Sequence, residues 1–208
     1  MKVNEAEGRR TQASRTASTR AALVGAARRL FTEHGYGEVG TEQIAHAAGV
    51  SRGALYHQFA DKADLFAAVL EAVEVDLTAR LVEVVGAAAG RGAEPIDLLI
   101  AGADAWLDAS TEPEVRRIAL LDGPSVLGWE RWREVGMRHG HGLVASLLTE
   151  LMADGGIPTQ PIDALAHTLV GALDEAALYV ALADDPVQAR VDAGIVLRRF
   201  VSAVAAPP

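Results

Sequence analysis

The sequence predicts an all-α protein of about nine helices, with an N-terminal helix-turn-helix module ahead of a larger helical body. Half of the residues are apolar but only 5% are aromatic, and the many Ala and Leu residues favour helices over strands. Apolar residues recur at helical spacing along most of the chain, and no segment alternates over a useful length. Near the N-terminus, a three-residue turn that contains glycine separates two short helical patterns, which is helix-turn-helix spacing.

A polar arm, residues 1–18, opens the chain. It has no apolar period, so we expect it to be flexible. Its basic side chains are Arg9, Arg10 and Arg15.

Glycines and capping residues place three helices in the module, residues 19–64. Gly35 is expected to end the first helix, because glycine accepts a positive φ angle. Thr41 and Ser51 are expected N-caps of the two short helices that follow. The expected helices are about Thr19–His34, Thr41–Ala48 and Ser51–Phe59.

The body, residues 65–208, also consists of helices in this interpretation. Asp61 caps a long helix that runs to the glycines at 86–92, and Asp64 adds a carboxylate to its first turn. The stretch "GPSVLGW" is expected to be a Gly/Pro break. The other expected helices are 93–110, 111–123, Trp129–Ala153, Gln160–Ala183 and Pro186–Val204.

The helix that begins at Ser51 is poor as a core element. Leu55 and Phe59 can seat it, and its other face carries Arg52, Gly53, Tyr56 and His57. These polar groups suit phosphates and base edges, and Lys62 lies at the next helix N-terminus, which favours a phosphate. Gly53 costs the helix roughly 1 kcal/mol relative to Ala, which close approach to a groove would offset. We therefore predict that this helix enters the DNA major groove; the alternative is a solvated face.

The charge distribution supports the same prediction, although the net charge is −9. Residues 1–64 carry nine Lys/Arg and seven Asp/Glu, a net +2, and residues 65–208 carry ten against twenty-one, a net −11. The basic front can hold phosphates, while the acidic body would be repelled from DNA.

The span "TRAALVGAARRLFTEHGYGEVGTEQIAHAAGVSRGALYHQFADKADLFAAVLEA" resembles the DNA-binding module of TetR-type transcriptional regulators. The resemblance lies in "LFTEHGY", "TEQIAHAAGVS" and "GALYHQFADKADL", in that order and spacing. It implies operator contacts, for which Tyr56, His57 and Lys62 match best, while Arg52 occupies a variable position that tends to set sequence choice. The implied DNA-binding residues are Thr41, Ser51, Arg52, Gly53, Tyr56, His57 and Lys62.

The resemblance also implies a ligand pocket among the helices of the body. Polar and aromatic residues on otherwise apolar helices are the candidates, and as a set they suit a mostly apolar, partly polar small molecule. Each of them alone can instead be a core or surface residue. The candidates are Trp106, Arg117, Asp122, Trp132, Met137, His141, His167 and Asp174.

The last two helices carry more apolar surface than a hairpin needs, so we expect a second copy to cover it. The alternative is that the first half of the body covers it. The residues in question are Leu165, Leu169, Leu173 and Val180 on one helix and Val191, Ile195 and Val204 on the other. Two DNA-binding modules in a homodimer would contact the half-sites of a near-palindromic operator.

Enzyme and metal-protein classes find little support. The chain has no cysteine, no HExxH and no GxSxG, and His139 and His141 lie about 200° apart on a helix. We expect no cofactor, no catalytic residue and no metal. There is no apolar run of signal-peptide type, and the apolar window Leu165–Leu182 is interrupted by charged residues, so we expect a cytoplasmic protein without a membrane contact.

The sequence therefore predicts a ligand-responsive DNA-binding transcriptional regulator. We expect a repressor that a small-molecule effector releases from its operator by population shift, through the long helix that begins at Asp61. The arm can add contacts to the minor groove or backbone. The alternatives are a dimeric DNA-binding protein without a ligand and a helical enzyme.

Overall fold

The computed structural model describes the backbone of residues 2–205 and the side chains of residues 14–203, and within these ranges the chain is helical without strands. A π-helical segment, Val115–Asp122, lies between the fifth and sixth of nine α-helices. The α-helices in chain order are α1 (Lys2–Glu38), α2 (Thr41–Ala47), α3 (Arg52–Gln58), α4 (Lys62–Ala89), α5 (Pro95–Ser110), α6 (Gly123–Leu127), α7 (Trp129–Ala153), α8 (Ile162–Leu182) and α9 (Pro186–Ala205). The predicted all-α class and helix number are confirmed.

The chain divides into two compact units between Glu71 and Ala72, within α4. The sequence placed its domain boundary after residue 64, also within this helix.

The N-terminal unit is built around an aromatic cluster. The ring centroids of Phe31, Tyr36 and Phe66 lie 5.3–5.6 Å from one another. Helices as short as α2 and α3 do not persist alone in water, so packing must hold them. Ile44 of α2 and Leu55 of α3 supply it, because both side chains are fully buried.

The turns of this unit follow the predicted local signals. Gly35 breaks α1 with φ 77°, and Gly49 follows α2 with φ 67°. Ser51 caps α3, since its Oγ accepts a hydrogen bond from Ala54 N at 3.2 Å. Asp61 and Asp64 form a reciprocal cap at the start of α4, with Asp64 N donating to Asp61 Oδ1 at 2.7 Å and Ala60 N donating to Asp64 Oδ2 at 3.2 Å.

Two predictions for this unit are wrong. The first helix begins at Lys2 and not near Thr19, so residues 2–18 are helical. Residues 14–18 are exposed, and a helix that buries no face needs no apolar period. Arg15 is among them, while the side chains of Arg9 and Arg10 lie outside the described residues. Gly40, and not Thr41, is the N-cap of α2.

The C-terminal unit has a core in which α8 packs against α5, α7 and α9. An ion cluster joins α5 to α9: Arg190 Nε donates to Asp108 Oδ1 at 2.7 Å, and Arg198 Nη2 lies 2.6 Å from Asp104 Oδ2. Gly123 is buried at the start of α6, where an added Cβ would lie 2.6 Å from Trp132 Cδ1. The sequence predicted a break over "GPSVLGW", but Gly123–Leu127 is helical. The helix ends at Gly128, with φ 77°.

The outward face of the last two helices differs in part from the prediction. Leu169 and Val180 are buried, and Leu165 and Leu173 are half-buried, because α8 turns this face towards the core. Val191 and Ile195 of α9 are exposed as expected, and the side chain of Val204 lies outside the described residues.

By length and composition, α8 is the one helix among the described residues that could cross a membrane. The core helix of a globular protein passes the same test. Six side chains of α8 are buried within the unit, namely Ala166, Leu169, Val170, Ala177, Val180 and Ala181. These buried side chains therefore place α8 in the core of the C-terminal unit.

Candidate nucleic-acid interface and body cavity

Helix α3 has one buried face and one open face. Leu55 and Phe59 anchor it, with at most 1% of either residue exposed. On the opposite side, 58% of the Arg52 side chain and 45% of Tyr56 are exposed, and His57 is exposed as well. The three polar side chains expected to face DNA therefore point to solvent.

Side-chain contacts connect the open face of α3 to α2. Tyr56 Oη lies 3.2 Å from Thr41 Oγ1, and Arg52 Nη1 donates to Glu42 Oε1 at 2.7 Å. The Arg52 guanidinium lies 5.6 Å from the centroid of the Tyr56 ring. The Thr41 hydroxyl and the Arg52 guanidinium lower the pKa of the Tyr56 phenol below its usual value. These four side chains form a polar cluster, and Glu42 is its one member that the sequence did not single out.

Ser51 and Gly53 shape the first turn of α3. The Ser51 hydroxyl is occupied as the helix cap. A Cβ added to Gly53 would meet only Ser51 Oγ, at 3.9 Å. The packing of this chain therefore does not require glycine at position 53, and the first turn is open to close approach from outside.

Lys62 has partners within the protein that the sequence did not predict. Its Nζ donates to the carbonyl oxygens of Tyr36 at 2.8 Å and Val39 at 3.0 Å, and it lies 3.9 Å from the centroid of the Tyr36 ring. The side chain is half-buried and ties the start of α4 to the end of α1. Two of its three donors are occupied, which leaves one N–H for the phosphate contact that the sequence predicted.

Arg20 is a basic residue that the sequence reasoning missed. Its guanidinium stacks 4.2 Å above the Phe59 ring, and its Nη1 donates to Gln58 O at 3.1 Å. The residue is exposed and lies beside the C-terminal end of α3. No signal local to Arg20 indicates this, because its partners lie 38 residues away or more.

A cavity lies inside the C-terminal unit, among α4, α5, the π-helical segment, α7, α8 and α9. Its volume is about 90 Å³, counted as the space open to the centre of a water molecule. That is several times the ~10–15 Å³ that one water requires. Most of the wall is aliphatic, so the cavity suits a small organic molecule.

Three of the eight predicted ligand residues line this cavity: Trp106, Trp132 and Asp174. The other five do not. His167 is exposed, and His141 is directed to Asp163, with 3.3 Å between Nε2 and Oδ1. Arg117, Asp122 and Met137 are half-buried outside the cavity wall.

Polar wall residues that the sequence missed are Glu74, Thr78 and Arg133. Arg133 Nη1 donates to Asp174 Oδ2, which joins α7 to α8 beside the cavity. Burial raises the pKa of Asp174 to about 6, although Arg133 acts in the opposite direction. Glu74 is 9% exposed.

The two indoles are fixed by their N–H groups. Trp106 Nε1 donates to Leu173 O at 3.0 Å, and Trp132 Nε1 donates to Ala119 O at 2.7 Å. The rings therefore contribute carbon surface to the cavity wall.

Gly136 and Gly140 of α7 also line the cavity. A Cβ at either position would meet no atom within 4 Å. The missing side chains therefore leave room within the cavity.

Within the described part of the chain, no three His, Asp or Glu side chains are grouped to hold a metal ion.

Two family descriptions match the chain. "Bacterial regulatory proteins, tetR family" covers residues 23–69, and "Tetracyclin repressor-like, C-terminal domain" covers residues 96–204. The first contains α2, α3 and the polar cluster, and the second contains most of the cavity wall.

Individual proteins agree with these matches. The transposon Tn10 TetC protein of Escherichia coli is 25% identical over 165 residues, which are 79% of this chain and 81% of that protein. A TetR-family transcriptional regulator from Pectobacterium atrosepticum superposes with a TM-score of 0.82 at 29% identity, over 94% of this chain and 98% of that one. RolR in complex with resorcinol has a TM-score of 0.72 at 22% identity, over 94% of this chain and 97% of that one, which shows a shared fold.

Several curated helix-turn-helix regulators are 40–44% identical, but the matched stretches cover only 27–36% of those proteins. Since a family description spans more than half of the chain, and the helix-turn-helix is present with its polar face exposed, the chain belongs to the TetR family of bacterial DNA-binding transcriptional regulators.

Proposed function

We propose that this protein is a homodimeric repressor that binds a near-palindromic operator through α3 and releases it when a small molecule occupies the cavity of the C-terminal unit. The observation that carries the DNA-binding part is the exposed side of α3, where Arg52, Tyr56 and His57 lie opposite the buried anchors Leu55 and Phe59. The site of action would be the cytoplasm, where the chromosome lies.

Operator contact would begin at the first turn of α3. Gly53 lets this turn approach the groove, and Arg52 can donate to a guanine edge. Tyr56 and His57 can donate to phosphates or base edges, and Thr41 and Ser51 flank them. Arg20 is added here as a backbone contact because its guanidinium is exposed beside α3.

The dimer is proposed from apolar side chains that the single chain leaves open. Val187, Val191 and Ile195, spaced by four residues along α9, are 78%, 49% and 47% exposed. Tyr179 and Leu182 of α8 are 55% and 69% exposed. Apolar residues this exposed on adjacent helices mark a self-complementary surface that a second copy can cover.

The effector response is proposed from the cavity. RolR, which shares the fold, has been solved with the small aromatic ligand resorcinol. Helix α4 is continuous from Lys62 to Ala89 and contributes Glu74, Leu77 and Thr78 to the cavity wall. A ligand that prefers one position of this helix would shift the population between a form that fits the operator and one that does not.

The DNA-binding proposal is tested with two glycine substitutions. The operator is first selected from a random pool of duplex DNA with the full-length protein. Gly53→Ala is then compared with Gly86→Ala, since both glycines are exposed helical positions where a Cβ has no close contact. Both variants should gain up to about 1 kcal/mol of stability, but only Gly53→Ala should lose operator affinity, by about tenfold or more. Equal affinity of the two variants would contradict contact through α3.

The effector proposal is tested by filling the cavity. Gly140→Leu places a side chain inside it, and Gly142→Leu places one on the exposed side of the same helix. Compounds that release the operator from the unaltered protein should fail on Gly140→Leu and act on Gly142→Leu. If no compound in a chemically broad collection releases the operator, the dimeric DNA-binding protein without a ligand is the better description.

A further inference from the structure

We infer that Glu42 determines operator selectivity: its carboxylate holds Arg52 for contact with a guanine and weakens binding to duplexes that lack this guanine. The inference rests on the operator contact through α3 proposed above and names a residue that decides which DNA is bound. Three features of the polar cluster support it: the position of Glu42, its pairing with Arg52 and its charge.

Glu42 lies on the same open surface as the side chains proposed to contact DNA. It belongs to the first turn of α2, and its side chain is 76% exposed. The fully buried side chains of Ile44 and Leu55 hold α2 against α3. Glu42 Oε1 lies 2.7 Å from Arg52 Nη1. A base that Arg52 contacts therefore also lies close to this carboxylate.

The hydrogen bond to Glu42 holds Arg52 and leaves most of its donors available. A guanidinium has five N–H groups in one plane, and the bond from Nη1 to Glu42 uses one of them. The Tyr56 ring borders the same guanidinium, with 5.6 Å between Cζ and the ring centroid. Two of the remaining N–H groups suffice for the O6 and N7 acceptors of a guanine. Arg52 can therefore bind guanine without leaving Glu42, and a side chain that is already held loses less conformational entropy on binding.

The other bases do not offer two acceptors to the major groove. Adenine presents a donor beside its acceptor, cytosine presents a donor, and thymine presents one acceptor beside a methyl group. The guanidinium then makes at most one of the two bonds, while the Glu42 carboxylate still lies beside the duplex. The cost of bringing this carboxylate to DNA is therefore better offset at a guanine than at any other base.

The charge of Glu42 opposes binding that is independent of sequence. An exposed glutamate is ionised at neutral pH, and DNA phosphates repel it. Because Glu42 and Arg52 carry opposite charges, the pair adds little net attraction to the backbone, on which sequence-independent binding depends. An uncharged side chain at position 42 would release Arg52 to any phosphate. Glu42 therefore lowers the affinity for DNA in general and increases the discrimination between sequences.

The test measures the ratio of the affinities for two duplexes. The full-length protein is titrated with the operator selected from a random pool and with a duplex of the same base composition in shuffled order. Glu42→Gln keeps the size of the side chain and removes its charge. Affinity for the shuffled duplex should rise more than affinity for the operator, so that the ratio falls at least about fivefold, the lower limit for a bidentate arginine–guanine contact. Binding to the shuffled duplex should also depend more steeply on salt, by up to about one unit of slope.

Glu33→Gln is the matched control. Glu33 lies in the same unit, its side chain is 64% exposed, and it pairs with the adjacent His34 outside the polar cluster. The variant makes the same change of net charge, and its affinity ratio should stay within about twofold of that of the unaltered protein. An Arg52→Ala background shows whether the two cluster residues act together. Without the guanidinium, adding Glu42→Gln should raise the affinity for both duplexes alike and leave the ratio unchanged.

The outcomes separate this inference from the proposed function. An affinity ratio that Glu42→Gln lowers no more than Glu33→Gln does overturns the inference, as does an equal loss of the ratio in the Arg52→Ala background. A fall in operator affinity without a rise on the shuffled duplex also overturns it, since Glu42 would then contact a base itself, as a carboxylate contacts cytosine N4. The proposed operator contact fails separately, when the protein selects no sequence from the pool or when Gly53→Ala and Gly86→Ala bind the operator equally.

Discussion

The replacement of Lys62 by methionine distinguishes a structural role of this side chain from a contact with an operator phosphate. Methionine keeps the apolar stem and removes the ammonium, which donates to Tyr36 O at 2.8 Å and Val39 O at 3.0 Å and faces the Tyr36 ring. A hydrogen bond from a charged donor contributes about 1.5–3 kcal/mol, and a cation over a ring about 0.5–1 kcal/mol. Release of the lysine side chain returns about 2 kcal/mol of entropy. Two such hydrogen bonds and the ring contact, less this entropy, give an expected net loss of about 1.5–5 kcal/mol of stability.

Hydrogen exchange measures this loss of stability in the N-terminal unit, which contains Lys62. All three tryptophans, Trp106, Trp129 and Trp132, lie in the C-terminal unit, so tryptophan fluorescence would not report on the N-terminal one. Amides of α2 and α3 should exchange at least about tenfold faster in Lys62→Met. Arg52→Ala is the control: its side chain is 58% exposed and bonded only on the surface, so exchange should change little while operator affinity falls.

The salt dependence of operator binding tests the alternative, a phosphate contact by Lys62. A phosphate contact by Lys62 would lower the slope of log K against log salt by about 0.9 in the variant. The structural role predicts an unchanged slope for molecules that remain folded. Unchanged exchange together with a slope reduced by about one would refute the structural role and restore the phosphate contact that the sequence predicted.

Four further outcomes are expected. Tyr56→Ala should weaken operator binding by ten- to a hundredfold, about 1–3 kcal/mol, with little change in melting temperature, as a binding titration beside a thermal melt will show. Gly123→Ala should lower stability by about 1–3 kcal/mol in urea unfolding, because its Cβ would lie 2.6 Å from the Trp132 ring; a neutral effect would mean that the ring moves freely. Ile195→Asp should shift the protein from dimer to monomer in sedimentation, and a persistent dimer would place the interface elsewhere. In the folded protein the pKa of Asp174 is about 6, above its ordinary 3.8, because burial favours the neutral carboxyl. The stabilisation that this carboxyl provides is therefore present below about pH 4 and is lost as the pH rises to about 6. Asp174→Asn should flatten the dependence of the unfolding free energy on pH over that window, and an unchanged pH profile would contradict the burial effect.

The N-terminal unit could be predicted well because its signals are local. Ser51 and Ala54 are three residues apart, and so are Asp61 and Asp64. Such caps depend on residue type and short spacing, both of which a sequence displays. The family resemblance rests on the same stretch and is confirmed.

Side chains with distant partners could not be assigned in this way. Thr41 was expected to cap α2, but its hydroxyl contacts Tyr56, 15 residues away. Lys62 was expected to contact a phosphate, and its bonds to carbonyls 26 and 23 residues earlier were not foreseen. The sequence shows that these groups can make a hydrogen bond, and only the packing of α1, α2 and α3 decides where the bond is made.

The cavity shows a second limit, which concerns position along a helix. His167 and Asp174 are seven residues apart and therefore lie on nearly the same side of α8. Periodicity therefore predicts the same surroundings for both side chains, yet Asp174 lines the cavity and His167 is exposed. The difference arises from what lies opposite each turn of α8, and that is a property of the neighbouring helices.

One signal of the cavity was nevertheless readable in α7. Residues 133, 136, 140, 143 and 147 recur at intervals of three and four, as a core-facing stripe does, and these five and residue 144 line the cavity. Two of them are Gly136 and Gly140, so the stripe lacks side chains at two positions that a close-packed core would fill. Glycine weakens a helix by about 1 kcal/mol per residue, and at these two positions no neighbouring atom excludes a Cβ. Such a helix loses stability of its own and leaves part of its inward face unfilled, which an effector in the cavity would explain. The two glycines therefore support the proposed effector more directly than Arg133, the one polar side chain of α7 in the cavity wall, does.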